Sequence, residues 1–299
     1  MIDEIIRKGT VSAKELRQLE NAYHAPEGCV RILDATFVLP GSPEKPQENF
    51  NAHRIPGARF FDIEKIADPA SLLPHTVPTK DVFEADLSAL GINPEDLVVL
   101  YGQHGMTMGP CRVWWTFRLF GHDRVCVLDG GLPEWIRQAG RLETEPPLPC
   151  APSQYRVKKV RNELLVKRDD VAAAMESGLC PILDARPRAR FEGNAAEPRP
   201  GMLSGHIPGS LCMPASELVD PETGTLKLDE ELKNLLLQTG FDPDHPDARK
   251  TITTCGSGIT ACVIALALFR QGFDKIAVYD GSWAEWGQEN SGNKIACGT

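Results

Sequence analysis

The sequence predicts an α/β protein built from two tandem units, each a mostly parallel sheet covered by helices on both faces. Three observations carry this. The chain repeats itself: LDAT aligns with LDAR, IPGA with IPGS and LDGGLPEW with YDGSWAEW. The alignment pairs Asp34 with Asp184 (offset 150), Ile55 with Ile207 (152), Asp129 with Asp280 (151) and Trp135 with Trp286 (151). Each half alternates short β-rich runs with helical stretches, the pattern of a parallel sheet with helical crossovers. Between the halves, EPPLPCAPSQ at 145–154 is proline-rich and lacks periodicity, so it reads as an extended linker. The expected domains are therefore 1–150 and 151–299.

In chain order, MIDEIIRKGTVSAKELRQLEN reads as an amphipathic helix. The β-rich runs RILDATFVL, DLVVLYG and RVCVLDGG follow, with the helical stretch CRVWWTFRLFG between the last two. After the linker come CPILDAR, the β-branched run KTITTC and KIAVYDGS, with ITACVIALALFRQG as the long apolar helix. Trp283 and Trp286 have helical spacing and read as core residues.

A chain of 299 residues is long for one core and suits two domains of ordinary size. Hydrophobic residues at 42% and charged residues at 24% are ordinary for a globular protein and argue against disorder or a fibrous repeat. The net charge of -9 argues against general nucleic-acid binding, because phosphate contacts need a cationic face, so any anion site must be local. No apolar run approaches the roughly 20 residues that cross a bilayer. Acids mixed into the first residues differ from a secretory or transit sequence, and the expected location is the cytoplasm. Nine cysteines (29, 111, 126, 150, 180, 212, 255, 262 and 297) form an odd set without a CxxC pair. That fits neither a disulfide framework nor a zinc site, so the thiols should be reduced, most of them buried.

One of the nine stands apart. Cys255 ends the strand-like KTITTC, and Gly256, Ser257 and Gly258 turn the chain into a helix amino terminus. Two glycines allow unusual backbone angles and inward-facing N–H groups. Those donors and the positive helix end favour a thiolate, the nucleophilic form. The carboxyl end of a strand in an open α/β sheet is also where ligands bind. A cysteine-dependent phosphatase would carry an arginine six positions after the cysteine; this chain has Ala261 there, which disfavours phosphate-ester hydrolysis.

The tandem repeat, the two IPG stretches, the two DGG/DGS-x-x-x-W stretches and above all CGSGIT resemble the rhodanese superfamily. CGSG followed by Ile-Thr resembles its 3-mercaptopyruvate sulfurtransferase branch; the thiosulfate branch usually carries a basic pair in this loop. The resemblance implies attack of Cys255 on the sulfur of 3-mercaptopyruvate, release of pyruvate, and a persulfide discharged by a thiol such as reduced thioredoxin or by cyanide, a reaction expected to need no metal or organic cofactor. It implies a catalytically silent amino-terminal domain, in agreement with Gly102 at the cysteine position and with GQHGMTMG, which has no thiol.

The resemblance also assigns a donor site. Its substrate arginines lie in an R-F pair and an E-P-R triplet, which correspond to Arg190 and Arg199, while Gly256, Gly258, Ile259 and Thr260 line the loop. The planar guanidinium fork suits a keto-acid carboxylate. Arg186, following a strand aspartate, reads as a structural ion-pair partner, and Arg188 as solvated. Pyruvate leaves as an enolate-like group that needs a proton. The family places a histidine and an acid beside the loop serine, which carries over to Ser257, His75 and the acid of FFDIE. That acid is Glu64, where aspartate is usual. His206, before the second IPG, reads as a fold residue bonding nearby backbone. Two rivals stay open: a thiosulfate sulfurtransferase, and a persulfide carrier or binding module.

Overall fold

The computed structural model describes residues 1–19, 29–39, 41–105 and 108–298. It divides into two compact units. One comprises Met1–Pro69, Val77–Arg161 and Asp220–Leu226; the other comprises Ala70–Thr76, Asn162–Val219 and Lys227–Thr299.

The first unit opens with two helices where the sequence suggested one. Helix α1 (Ile2–Lys8) ends at Gly9, whose φ of 70 is a left-handed cap. Strand β1 (Thr10–Val11) follows, and Ser12 and Glu15 form a capping box that starts α2 (Ala13–Gln18). Residues 20 and 21 of the expected helix lie outside the described residues. The chain continues with β2 (Val30–Asp34), α3 (Pro46–Ala52), β3 (Arg59–Phe60), α4 (Lys80–Ala89), β4 (Leu97–Tyr101), α5 (Gly109–Leu119), β5 (Val125–Leu128) and α6 (Gly131–Arg137). The strands form a five-stranded sheet ordered β1-β5-β4-β2-β3, with every pairing parallel.

All five residues of β4 are buried. Successive side chains on a strand face opposite ways, so both faces of this sheet must be covered. Leu97, Val99 and Tyr101 join one core with Ile5, Leu16, Phe50 and Trp135 of the helices. On the other side α5 is buried along its whole length. Its Arg112 and Arg118 lie over Trp115 and Trp114, 4.8 and 4.9 Å from the ring centres, so aromatic faces receive these cations. The helix begins at Gly109, where a Cβ would stand 1.8 Å from the Ala35 carbonyl oxygen.

The proline-rich stretch does not end the first unit. Ser153 N–H donates to Ser88 O at 2.9 Å and Arg161 N–H to Leu119 O at 2.7 Å. Tyr155, 2% exposed, meets Phe83 edge to face. These anchors hold residues 153–161 on the first unit, and the division between the units falls at Arg161 and Asn162.

The second unit repeats the plan with β6 (Leu165–Val166), α7 (Arg168–Ser177), β7 (Ile182–Asp184), α8 (Arg188–Phe191), β8 (Leu211–Cys212), α9 (Asp229–Gln238), β9 (Ile252–Thr254), α10 (Ala261–Arg270), β10 (Ala277–Tyr279) and α11 (Ser282–Trp286). Its five-stranded sheet has the order β6-β10-β9-β7-β8 and is again all parallel. Ile252, Ala277, Tyr279, Trp283 and Trp286 share a core with Val171 of α7. Helix α10 is apolar almost all round because it is buried through Leu268.

Candidate active site

In the second sheet β7 leads outward to the edge strand β8, whereas β9 leads the other way to β10. The carboxyl ends of β7 and β9 therefore flank the point where the chain reverses direction, the usual ligand crevice of an open α/β sheet. The segment after β7 supplies Arg186 from its loop and Arg188 and Arg190 from α8; the loop after β9 supplies Cys255.

Backbone bonds fix the β9 loop. Ala185 N–H donates to Thr254 O at 2.8 Å, Trp283 N–H to Cys255 O and Ala284 N–H to Gly256 O, both at 2.9 Å. Cys255 N–H donates to Ser282 Oγ at 3.2 Å. Gly258 turns at φ 75, and α10 begins after Thr260. The N–H groups of Gly256, Ser257 and Ile259 have no hydrogen-bond acceptor among the described residues, which leaves this turn donor-rich at the amino end of a helix. Cys255 is 2% and Ser257 7% exposed.

All nine cysteines are free thiols; five are buried, three are intermediate and one is exposed. Burial pushes the thiols of Cys126, Cys180 and Cys212 up, the last to about 11, and so suppresses their thiolates. Cys262 is spent on an S–H bond to Gly258 O at 3.3 Å.

The arginines divide by partner. Arg186 is buried, with bonds to both Asp184 oxygens from Nε (3.1 and 3.0 Å), to Asp184 Oδ2 from Nη2 (2.7 Å), to Glu197 Oε1 (2.9 Å) and to Gly205 O (2.8 Å). Its guanidinium lies 4.1 Å from the Trp283 ring centre. It is the structural ion-pair partner the sequence suggested. Arg188 is half exposed and pairs with Glu217 at 3.1 Å. Arg190 is braced by Glu197, through Nε to Oε1 at 3.2 Å and through Nη2 to Oε2. Arg199 is half-buried and has no ion-pair or hydrogen-bond partner among the described residues. Both of the last two reach the cysteine loop: a Cβ placed on Gly256 would stand 3.3 Å from Arg190 Nη2 and 3.8 Å from Arg199 Nη1. Two guanidinium groups thus converge on the residue following Cys255, over a turn of unbonded amides. Such a site can hold a small carboxylate or oxyanion beside a sulfur nucleophile.

His206 stacks on Phe191 at 3.8 Å and bonds Phe191 O through Nδ1 at 2.8 Å, which braces α8, the helix of Arg190. His75 is buried at φ 59 and packs in the second unit. Glu64 is exposed in the first unit, where its N–H donates to Asp62 Oδ1 at 3.1 Å.

Two residues of this site were not singled out in the sequence. Glu197 binds both Arg186 and Arg190, and its only signal was an acid two positions before Arg199. Ser282 holds the Cys255 amide; its signal was the change from DGG to DGS between the repeats.

The first unit reproduces the crevice without a thiol. Ala35 N–H donates to Tyr101 O at 2.8 Å and Leu132 N–H to Gly102 O at 2.9 Å. These match the bonds to Thr254 O and Cys255 O, so Gly102 stands where Cys255 does. Gln103 follows it, donating its side-chain amide to Asp34 Oδ2 at 2.7 Å and its N–H to Thr36 Oγ1 at 2.9 Å. Met106 and Thr107 of this loop lie outside the described residues.

Comparison with known proteins gives one family. The Rhodanese-like domain matches residues 12–138 and again 167–289. The 3-mercaptopyruvate sulfurtransferase of Escherichia coli K12 is 38% identical over 268 residues, 89% of this chain and 92% of that one. The mitochondrial thiosulfate/3-mercaptopyruvate sulfurtransferase 1 of Arabidopsis thaliana is 38% identical over 276 residues, 86% of this chain and 71% of that one. The crystal structure of SseA from Escherichia coli, described as showing the rhodanese fold of 3-mercaptopyruvate sulfurtransferases, superposes with a TM-score of 0.80 at 35% identity, covering 92% of this chain and 98% of that one. No helix among the described residues is long and apolar enough to cross a membrane.

Proposed function

Since the chain belongs to the rhodanese family and carries its domain twice, we propose that it is a sulfurtransferase acting on 3-mercaptopyruvate through a Cys255 persulfide. The observation that carries this is the convergence of Arg190 and Arg199 on Gly256, next to the thiol. The carboxylate of the donor docks on the two guanidiniums, with the loop of Gly256, Gly258, Ile259 and Thr260 around its sulfur. Cys255 Sγ attacks that sulfur, the carbon–sulfur bond breaks, and its electron pair passes to carbon as the enolate of pyruvate. Ser257, supported by His75 and Glu64, delivers the proton. An acceptor thiol such as reduced thioredoxin, or cyanide, then takes the outer sulfur and restores Cys255. No cofactor takes part.

The first domain is silent in this reading, because Gly102 offers no nucleophile and the Gln103 side chain is bonded to Asp34. The nine free thiols suit a reducing compartment, which we take to be the cytoplasm. Thiosulfate is the second donor to consider, since the Arabidopsis relative is named for both. The loop carries no basic residue of its own, which favours the keto acid. Pyruvate release from 3-mercaptopyruvate, measured beside thiocyanate formation from thiosulfate and cyanide, tests the reading; a protein that turned over neither donor yet carried a persulfide from a partner protein would be the carrier instead.

A further inference from the structure

Glu197 is buried with both oxygens committed. Its side chain is 4% exposed; Oε1 accepts from Arg186 Nη1 at 2.9 Å and from Arg190 Nε at 3.2 Å, while Oε2 accepts from Arg190 Nη2. Arg186 does not need this acid for neutrality, because Asp184 already binds it through both oxygens. The negative charge of Glu197 therefore falls on Arg190. Arg199 keeps its full charge, with no ion pair among the described residues. Asp184 and Glu197 thus face Arg186, Arg190 and Arg199, and these five side chains carry one net positive charge, before the Cys255 thiolate is counted.

We propose that Glu197 sets the donor selectivity of this site by limiting its charge to that of a monoanion. The inference rests on Arg190 and Arg199 being the donor clamp. Coulomb energy scales with the charge of the ligand, so an acid at the clamp costs a dianion twice what it costs a monoanion. A keto-acid carboxylate brings one negative charge to this cluster and thiosulfate brings two, so repulsion by the Glu197 carboxylate falls more heavily on thiosulfate. The same residue orients Arg190 for either donor. It acts through Arg190 and is a positioning residue; charge selectivity is what distinguishes it from a simple brace.

The test compares wild type with Glu197→Gln, which keeps the side-chain shape and one acceptor oxygen and removes the charge. kcat/KM is measured for 3-mercaptopyruvate and thiosulfate, with cyanide as the common acceptor. The expected result is a rise of about tenfold or more in the thiosulfate to mercaptopyruvate ratio, carried by a lower KM for thiosulfate. Glu197→Asp, which retains the charge, should keep the wild-type ratio. A ratio that Glu197→Gln leaves unchanged, with both donors slowed alike, would overturn the inference and make Glu197 a brace. A ratio moved equally by Glu197→Asp would overturn it too. Should Glu197→Gln not fold, wild type alone decides: pyruvate should compete with 3-mercaptopyruvate more strongly than sulfate does, and stronger competition by sulfate would contradict a singly charged site. Failure of the clamp itself reads out separately, as Arg199→Ala leaving KM unchanged for both donors.

Discussion

The hydroxyl of Ser282 accepts the backbone N–H of Cys255 at 3.2 Å and donates to Tyr279 O at 2.7 Å. To do both, Ser282 sits at φ 48, a region that favours glycine, and the equivalent residue of the first unit is Gly131 at φ 62. A serine tolerating that angle beside the Cys255 thiol points to the hydroxyl as its reason.

Ser282→Gly should therefore separate stability from activity. It relieves left-handed strain of about 1 kcal/mol and removes a hydrogen bond of about 1 kcal/mol, so denaturant midpoints should move little. Turnover should fall by about fivefold as the Cys255 loop loses its anchor, the rate equivalent of that bond. Ser282→Ala, which keeps the strain, should lose stability as well. Wild-type turnover in the glycine variant would show that the loop holds its geometry without the hydroxyl.

Arg190 and Arg199 should differ in the same way. Removing either should weaken mercaptopyruvate use by about 2–5 kcal/mol, the usual cost of truncating one partner of a buried charge contact. Arg199→Ala should leave unfolding unchanged within about 0.5 kcal/mol because no partner is abandoned. Arg190→Ala should also lower stability, since it takes away one of the two cations that hold Glu197. Discharge of a preformed persulfide by cyanide should change much less in both; equal losses in the two half-reactions would assign these arginines to the fold.

The five-residue strands β2 and β4 and the long helices α5 and α10 were legible because hydrophobic periodicity and the repeat marked them. The strands β1, β3, β6 and β8 were not, since two residues carry no period. The amino terminus read as one helix because Thr10 and Val11, only two residues, carry no strand period of their own; only pairing with β5 reveals a strand. Cys255 was legible from its glycine-bearing turn. Glu197 was not, because its role depends on Arg186 and Arg190, eleven and seven positions earlier, being folded back onto it by α8.

Asp34 offers a pH prediction in the first unit. Burial pushes its carboxyl up, and hydrogen bonds from Thr36 and Gln103 offset this only in part. The unfolded chain releases this proton at about 3.9, before the folded one does. The folded state thus binds more protons between the two values, and stability falls as pH rises through that window, levelling above the folded pKa. Asp34→Asn has no such titration. Its stability relative to wild type should rise with pH from about 4 upward and then flatten; a difference independent of pH, read from melting temperatures, would show that Asp34 is ionised throughout.

The proposed proton relay predicts non-additivity. Ser257→Ala and His75→Ala should each slow pyruvate release, and the double variant should be little slower than either, as expected of residues acting as a unit. Glu64→Gln should resemble His75→Ala, and Glu64→Asp should retain turnover. Independent, multiplying losses would dissolve the relay and leave Ser257 as a residue that shapes the loop.

The central claim is that Cys255 carries the sulfur. Intact-mass and peptide analysis of the protein after one turnover with 3-mercaptopyruvate, without acceptor, addresses it directly. The account predicts one added sulfur atom on the peptide holding Cys255, one pyruvate released per protein, and neither in a folded Cys255→Ser variant. Sulfur found on another cysteine, or pyruvate released at the wild-type rate by Cys255→Ser, would contradict it.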